Sequence, residues 1–166
     1  MASVTTRTFL IFATLVSGLL TGGNVDRAFV AMPAWQQVGA IAWAEFSRHA
    51  DLGNGLILYP IEAIGGALLT IAAAMIVHFD GNAPRAAAVL IYAAALFAVG
   101  GLILTAKAAP TMLGIRGVSD LVVLQRAFEE FWYWGNLRAI CQVSVFLLQL
   151  ATLAVLLRGG EAKTSS

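Results

Sequence analysis

Four long apolar stretches constrain this chain more than any other feature of its sequence. They cover 8–23, 56–77, 86–106 and 137–157, and Glu62 and Arg138 are the charged residues inside them. About 20 apolar residues in a helix cross the hydrocarbon core of a bilayer, because a helix rises about 1.5 Å per residue. Backbone groups in lipid must be hydrogen-bonded within the segment, so these spans are expected to be helices. The sequence therefore predicts an all-α membrane protein, a four-transmembrane-helix bundle with both termini on one side of the bilayer.

The composition agrees with this prediction and excludes several classes of protein. Hydrophobic residues make up 60% of the 166 residues and charged residues 11%, whereas a soluble domain is about 45–50% apolar and about 25% charged. A net charge of +1 gives no basic field, so nucleic acid is not an expected partner. The single cysteine, Cys141, excludes an internal disulfide and any site built from several thiolates.

One domain is expected over 1–158, followed by a polar tail over 159–166. The two long connections lie on the face opposite the termini, which we call the cap side. Segments 33–50 and 119–134 within them carry apolar residues at helical spacing and several tryptophans. Pro33 suits a helix start, and Asp120 suits an N-cap. We predict two interfacial amphipathic helices here, lying at the membrane surface or leading into the next span.

Polar residues inside the spans form the second informative pattern. An ionisable side chain in a membrane span usually faces the bundle interior or a cavity. Tyr59 shares a helix face with Glu62, and Gln142 lies one turn after Arg138. Further polar residues crowd the cap-side ends of the first two spans: Asn24, Asp26, Arg27, His49, Asp51 and Asn54. These positions indicate either a ligand-binding pocket in the cap-side half of the bundle or an interhelical pair between Glu62 and Arg138 that only stabilises the fold.

Two short segments resemble a known family. Segment 134–138, WGNLR, is similar to the tryptophan followed by Asn-x-Arg that opens the last span in the anthrone-oxygenase-like family of small integral membrane proteins. Segment 109–112, APTM, resembles the family's proline after the third span, but the asparagine usual after that proline is missing. The four-span layout with two long connections on one face also resembles the family.

The resemblance implies a cofactor-independent oxygenase of flat aromatic, polyketide-like substrates of the anthrone type. A base would remove a proton from the substrate, and the resulting anion would react with O₂ in a site that excludes water. No cofactor and no metal are implied. The catalytic candidates are Arg138 and Asn136 for the oxyanion, and His49, Asp51 and Glu62 for the proton. The substrate-binding candidates are Trp134, Tyr59, Asn54, Gln142 and Trp43.

Other functions stay open from the sequence. A non-catalytic membrane protein could use the same pocket to bind a lipid or a small hydrophobic ligand, or could scaffold a partner. A small multidrug-type transporter would use Glu62 as its membrane carboxylate. The expected partners are a flat hydrophobic small molecule, O₂ and the lipid bilayer, and the formation of a homo-oligomer is left open.

Overall fold

The protein is all-α, and four helical runs are each long and apolar enough to cross a membrane. The computed structural model describes the backbone of residues 2–161 and the side chains of residues 2–158. The four runs are Val4–Val38, Ala40–Phe79, Arg85–Gly114 and Leu121–Arg158. The predictions of four membrane-spanning helices and of a multi-pass membrane location are confirmed, and an even number of spans brings both ends of the bundle to one side.

The first two runs each contain a change of helix type. The first run consists of α1 (Val4–Asp26), a π-helical turn (Arg27–Ala31), a 3-10 turn (Met32–Ala34) and α2 (Trp35–Val38). The second run consists of α3 (Ala40–His49), a π-helical turn (Ala50–Asn54) and α4 (Gly55–Phe79). Such π-helical turns are rare and are frequently found at functional sites.

The third and fourth runs are continuous helices, α5 (Arg85–Gly114) and α6 (Leu121–Glu161). Both helices extend beyond the predicted apolar stretches 86–106 and 137–157, which mark only the part of each helix long enough to cross the hydrocarbon core. Helix α6 also runs into the segment predicted as a polar tail, of which residues 162–166 lie outside the described residues.

No separate amphipathic helix at the membrane surface is seen among residues 2–161. Segment 119–134 is the first part of α6 and leads into the fourth span. Its predicted cap is confirmed, since Asp120 Oδ1 accepts hydrogen bonds from the backbone N–H groups of Val122 and Val123 at 2.9 and 3.0 Å. The helix then continues because Gly135 is an isolated glycine, which a helix tolerates.

Segment 33–50 differs from the prediction in where its helix begins. Pro33 lies in the 3-10 turn of the first run, and the chain is helical on both sides of it. The break comes at Gly39, whose φ of 90° is a conformation that glycine adopts without a steric cost. Helix α3 therefore begins at Ala40 and continues through the π-helical turn into the second span.

The four long helices form a ring in which α1 and α5 each pack between α4 and α6. Two separate cores hold the ends of this ring. The terminal core is built from α1, α4, α5 and α6 and includes Leu10, Val77, Ile91 and Leu156. The cap core includes Trp35, Met112 and Phe128 and lies on the cap side. Between the two cores a smaller cluster of Ala67, Ala98 and Val145 is buried.

A hydrogen-bonded clamp joins the start of α1 to the turn between α4 and α5. Asp80 Oδ2 accepts hydrogen bonds from the Thr6 hydroxyl at 2.6 Å and from the Ser3 backbone N–H at 2.7 Å. These bonds, the Thr6 hydroxyl first, lower the pKa of the Asp80 carboxyl from 3.8 to about 2. The clamp fixes the terminal end of the bundle, opposite the polar residues of the cap side.

Candidate functional site

A cavity of about 340 Å³ lies between the two cores, with walls from all four long helices and from α3. Its volume is at the lower end of the range of about 300–1,000 Å³ that is usual for small-molecule sites. The cap-side part is lined by the charged residues Asp26, Arg27, Asp51, Glu62 and Arg138. The deeper part is lined by small or apolar residues, among them Gly66, Ala67, Ala98, Gly101 and Val145. The cavity thus has one polar and one apolar end.

The polar end is organised by an ion pair between Arg27 and Asp51. Arg27 Nη1 lies 2.7 Å from Asp51 Oδ1 and donates a second hydrogen bond to the Tyr59 hydroxyl at 2.9 Å. The guanidinium also lies 4.8 Å from the ring centre of Tyr59 and 5.4 Å from that of Phe131. Arg27 lies in the π-helical turn that follows α1, and Asp51 lies in the π-helical turn that follows α3. The two turns therefore bring the ends of α1 and α3 together above the cavity.

Arg138 and Glu62 line the same cavity without forming a pair. Among the described residues neither side chain takes part in an ion pair, and the buried Nε of Arg138 has no hydrogen-bond partner. Among the described residues of the cavity wall, Arg27 thus has a carboxylate at ion-pair distance and Arg138 has none. Leaving the buried Nε of a partly buried guanidinium without a partner is costly, so an anionic oxygen placed at Arg138 would gain a charge-assisted hydrogen bond.

Two glutamines on the Arg138 face of α6 join the helices around the cavity. Gln142 Nε2 donates to Ser17 Oγ at 3.3 Å, and the Gln142 backbone carbonyl accepts from the Thr21 hydroxyl at 3.2 Å. Deeper in the bundle, the fully buried Gln149 donates from Nε2 to Thr70 Oγ1 at 3.0 Å. Since Thr70 lines the cavity, this bond across the bundle forms the cavity floor.

The structure brings together six of the ten predicted site residues. Those that line the cavity are Asp51, Glu62, Tyr59, Trp43, Arg138 and Gln142.

Four predicted residues do not line it. His49 has a side chain 81% exposed and contacts Glu45 at 3.2 Å, away from Asp51. Asn54 is exposed on the π-helical turn, and Trp134 packs against the cap core. Asn136 lies two positions before Arg138, and residues two apart on a helix point in nearly opposite directions. Its buried Oδ1 has no hydrogen-bond partner among the described residues.

Arg27 is the main site residue that the sequence prediction did not assign. It lies beyond the predicted first span, and the π-helical turn carries the helix on for one more turn. The signal available was Asp51: a carboxylate at a cap-side helix end needs a cation, and Arg27 follows the first predicted span on the same side. A second, small cavity of about 10 Å³, enough for one water, borders Arg27 and Arg138 on the side of Phe131.

Within the described residues, no three His, Cys, Asp or Glu side chains lie close enough together to hold a metal ion. Comparison with protein-family models, with curated proteins and with solved structures finds no match to this chain.

Proposed function

We propose that this chain is a membrane-embedded, cofactor-independent oxygenase that converts flat aromatic ketones of the anthrone type to quinones. The observation that carries the proposal is one cavity with an apolar inner half whose wall holds a guanidinium, Arg138, and a carboxylate, Glu62, neither of which forms an ion pair within the described part of the chain. An acidic aromatic ketone matches this arrangement because it has a proton to give, an oxygen that becomes negative and an apolar body.

The proposed reaction needs only the substrate and O₂. A base removes one proton from the methylene carbon of the anthrone and leaves a delocalised anion whose charge resides mainly on the ketone oxygen. The anion transfers one electron to O₂, and the two radicals combine to form a carbon–oxygen bond and, after protonation, a hydroperoxide. Loss of the second methylene proton with cleavage of the O–O bond gives the quinone and one water. One anthrone and one O₂ are consumed for each quinone and water formed.

Glu62 is the proposed base, because it lines the cavity within the second span and forms no ion pair among the described residues. Arg138 is the proposed partner of the developing oxyanion. The Arg27–Asp51 pair would position Tyr59 at the edge of the site, and Trp43 would provide a flat wall. His49, Asn54, Trp134 and Asn136 have no part in this proposal because they lie outside the cavity wall.

We also propose that the chain belongs with the anthrone-oxygenase-like proteins, because Arg138 of the WGNLR segment lines the cavity.

We further propose that the cap core lies in the membrane interface. This is supported by helix length: the 41 residues of α6 extend about 60 Å, roughly twice the hydrocarbon core. Fluorescence of the cap tryptophans should be quenched by lipids brominated near the headgroup and much less by lipids brominated at the chain ends.

The test of the oxygenase is O₂ uptake by the purified protein in lipid nanodiscs with anthrone or dihydroxyanthrone. We expect uptake above autoxidation, with quinone formed in a one-to-one ratio to O₂. Arg138→Ala should lower kcat by about 100-fold or more, and Glu62→Gln by a similar or larger factor. Arg126→Ala is the matched control, because Arg126 is an exposed arginine of the same helix, and its activity should equal that of the wild type.

O₂ uptake that equals autoxidation with both anthrone and dihydroxyanthrone would overturn the oxygenase proposal. If dihydroxyanthraquinone then still bound to the wild type and not to Arg138→Ala, the cavity would be a site for binding a hydrophobic ligand without turnover. Full turnover by Arg138→Ala would contradict the assigned site.

A further inference from the structure

The wall of the cavity is closed on one side and open on the other. Of its lining residues, none from α5 or α6 is exposed, whereas four on the opposite side are. These four are Gly23, Asp26, Phe46 and Tyr59. They come from α1, α3 and α4, and the contact between α1 and α4 is the loosest of the four seams in the ring. The mouth of the cavity therefore lies between α1 and α4.

Below this mouth the seam is sealed, and at the mouth it is not. Leu20 packs onto Gly66, where an added Cβ would come within 2.6 Å of Leu20 Cδ1. One turn further along α1, Gly23 lines the cavity and has no atom within 4 Å of the position of a Cβ. The missing side chain of Gly23 thus leaves open the gap that Leu20 fills one turn deeper. The Arg27–Asp51 pair crosses the same seam on the cap side and bounds the mouth there.

The height of the mouth along α1 corresponds to one end of a membrane span. Gly23 is nineteen residues after Val4, the first residue of α1, which corresponds to about 28 Å of helix. The hydrocarbon core is about 30 Å thick, so the mouth faces the region where acyl chains meet headgroups. The amphipathic rings of Trp and Tyr prefer that depth, and a phenolic molecule with a polar edge and an apolar body has the same amphipathic character.

We infer that the substrate enters sideways from the cap-side leaflet through a portal at Gly23, and that it is therefore a lipophilic phenol or ketone dissolved in the bilayer. The inference rests on the proposed function for the identity of the ligand, but the route can be measured without turnover. The ligand's polar edge would meet Arg138 and Glu62 at the portal level, and its apolar body would extend towards Ala67 and Ala98.

The test is the binding kinetics of dihydroxyanthraquinone to the protein in nanodiscs, followed by quenching of tryptophan fluorescence in a stopped-flow instrument. Gly23→Leu places a side chain in the mouth, so the association and dissociation rate constants should fall together by about tenfold, with a much smaller change in Kd. Gly22→Leu is the matched control: Gly22 is the exposed neighbour on the same helix, has no atom within 4 Å of a Cβ, and does not line the cavity. Its rate constants should equal those of the wild type.

A sulfonated dihydroxyanthraquinone, which stays in water, provides the second arm. With a lateral portal its association should be far slower than that of the parent compound in the wild type. Equal association rates for the two compounds, or equal effects of Gly22→Leu and Gly23→Leu, would overturn the portal. Normal portal kinetics together with no O₂ uptake would overturn the oxygenase and leave the portal standing, so the two failures are distinguishable.

Discussion

Removal of the negative charge of Asp51 should cost more stability than any other single charge neutralisation on the cavity wall. Arg27 Nη1 and Asp51 Oδ1 are 2.7 Å apart, and the side chains are 17% and 6% exposed. At this distance two unit charges attract by about 6 kcal/mol at an effective dielectric constant of about 20. Asp51→Asn has nearly the same shape, so the substitution removes the charge and leaves the packing in place.

The net loss should be smaller than this attraction for two reasons. The neutral amide no longer bears the desolvation of a buried carboxylate, and Arg27 keeps its hydrogen bond to Tyr59 and its position against two aromatic rings. Cation–π contacts at a partly desolvated site contribute about 1–2 kcal/mol. Removal of one partner from a buried ion pair costs about 3–5 kcal/mol. We therefore expect Asp51→Asn to lower the free energy of unfolding by about 3 kcal/mol.

The assay is unfolding by sodium dodecyl sulfate in mixed micelles, followed by tryptophan fluorescence. Asp26→Asn is the matched control, since Asp26 also lines the cavity and precedes Arg27, but is exposed and has no ion pair in the described chain. It should change the free energy of unfolding by less than about 0.5 kcal/mol. The double variant with Arg27→Gln should be less destabilised than the sum of the single variants, because each substitution removes the same interaction. A loss below about 1 kcal/mol for Asp51→Asn, the range of exposed pairs, would refute the reasoning.

Three further predictions concern the scaffold. The hydroxyl of Thr6 and neighbouring N–H groups hold the pKa of Asp80 at about 2, so the stability that its carboxylate contributes should be lost as the pH falls from 3.8 towards 2. Asp80→Asn should flatten this part of the curve of unfolding free energy against pH. Gly66→Val should lower the free energy of unfolding by about 1–3 kcal/mol, because a Cβ there would lie 2.6 Å from Leu20 of α1. Gly65→Val is the control: the space around its Cβ is open, so it should change the free energy of unfolding by less than about 1 kcal/mol. Gln149→Met should change the free energy of unfolding by less than about 1 kcal/mol, since interhelical hydrogen bonds in membranes contribute about 0.6 kcal/mol. Gln149→Ala should lower it by about 2–4 kcal/mol, because the substitution opens a cavity at a fully buried position. The detergent titration described above measures both variants.

The four spans were predictable because hydrophobicity over about 20 residues is a property of the segment itself. The positions of Glu62, Arg138 and Gln142 on the cavity wall were predictable for a related reason: charged and amide side chains inside a span are directed inward. Helical periodicity then relates them to Tyr59, one turn before Glu62. These residues lie within regular helix, where sequence spacing gives direction.

The surroundings of Asp51 were not predictable in the same way. His49 and Asp51 are close in sequence, but positions two apart on a helix do not face each other, and His49 instead contacts Glu45 one turn earlier. The π-helical turn Ala50–Asn54 changes the rotation of every residue after it, and hydrophobic patterns do not reveal such a turn. The same holds for Arg27, whose direction depends on the turn Arg27–Ala31.

The boundaries of the cap segments were also beyond the sequence pattern. An amphipathic pattern predicts a helix over 119–134, but it does not tell whether that helix bends away along the membrane surface or continues into the next span. Continuity of α6 depends on what its apolar face meets, and Leu124 and Phe128 are buried in the cap core. That tertiary contact is not visible in the periodicity of one segment.

The division of the apolar interior into two cores bears on how this protein could change its ligand. The residues of the two large cores, such as Phe128 and Ile91, are different from small residues of the deeper cavity wall such as Gly101. Enlarging a wall residue that has room for a side chain would alter the size of the molecule accepted while leaving both cores intact; Gly101, where an added Cβ would meet Cys141 only at 3.8 Å, is such a position, and Gly66 is not. A lineage, or a laboratory selection, could therefore explore new ligands through a handful of wall positions at little cost in folding.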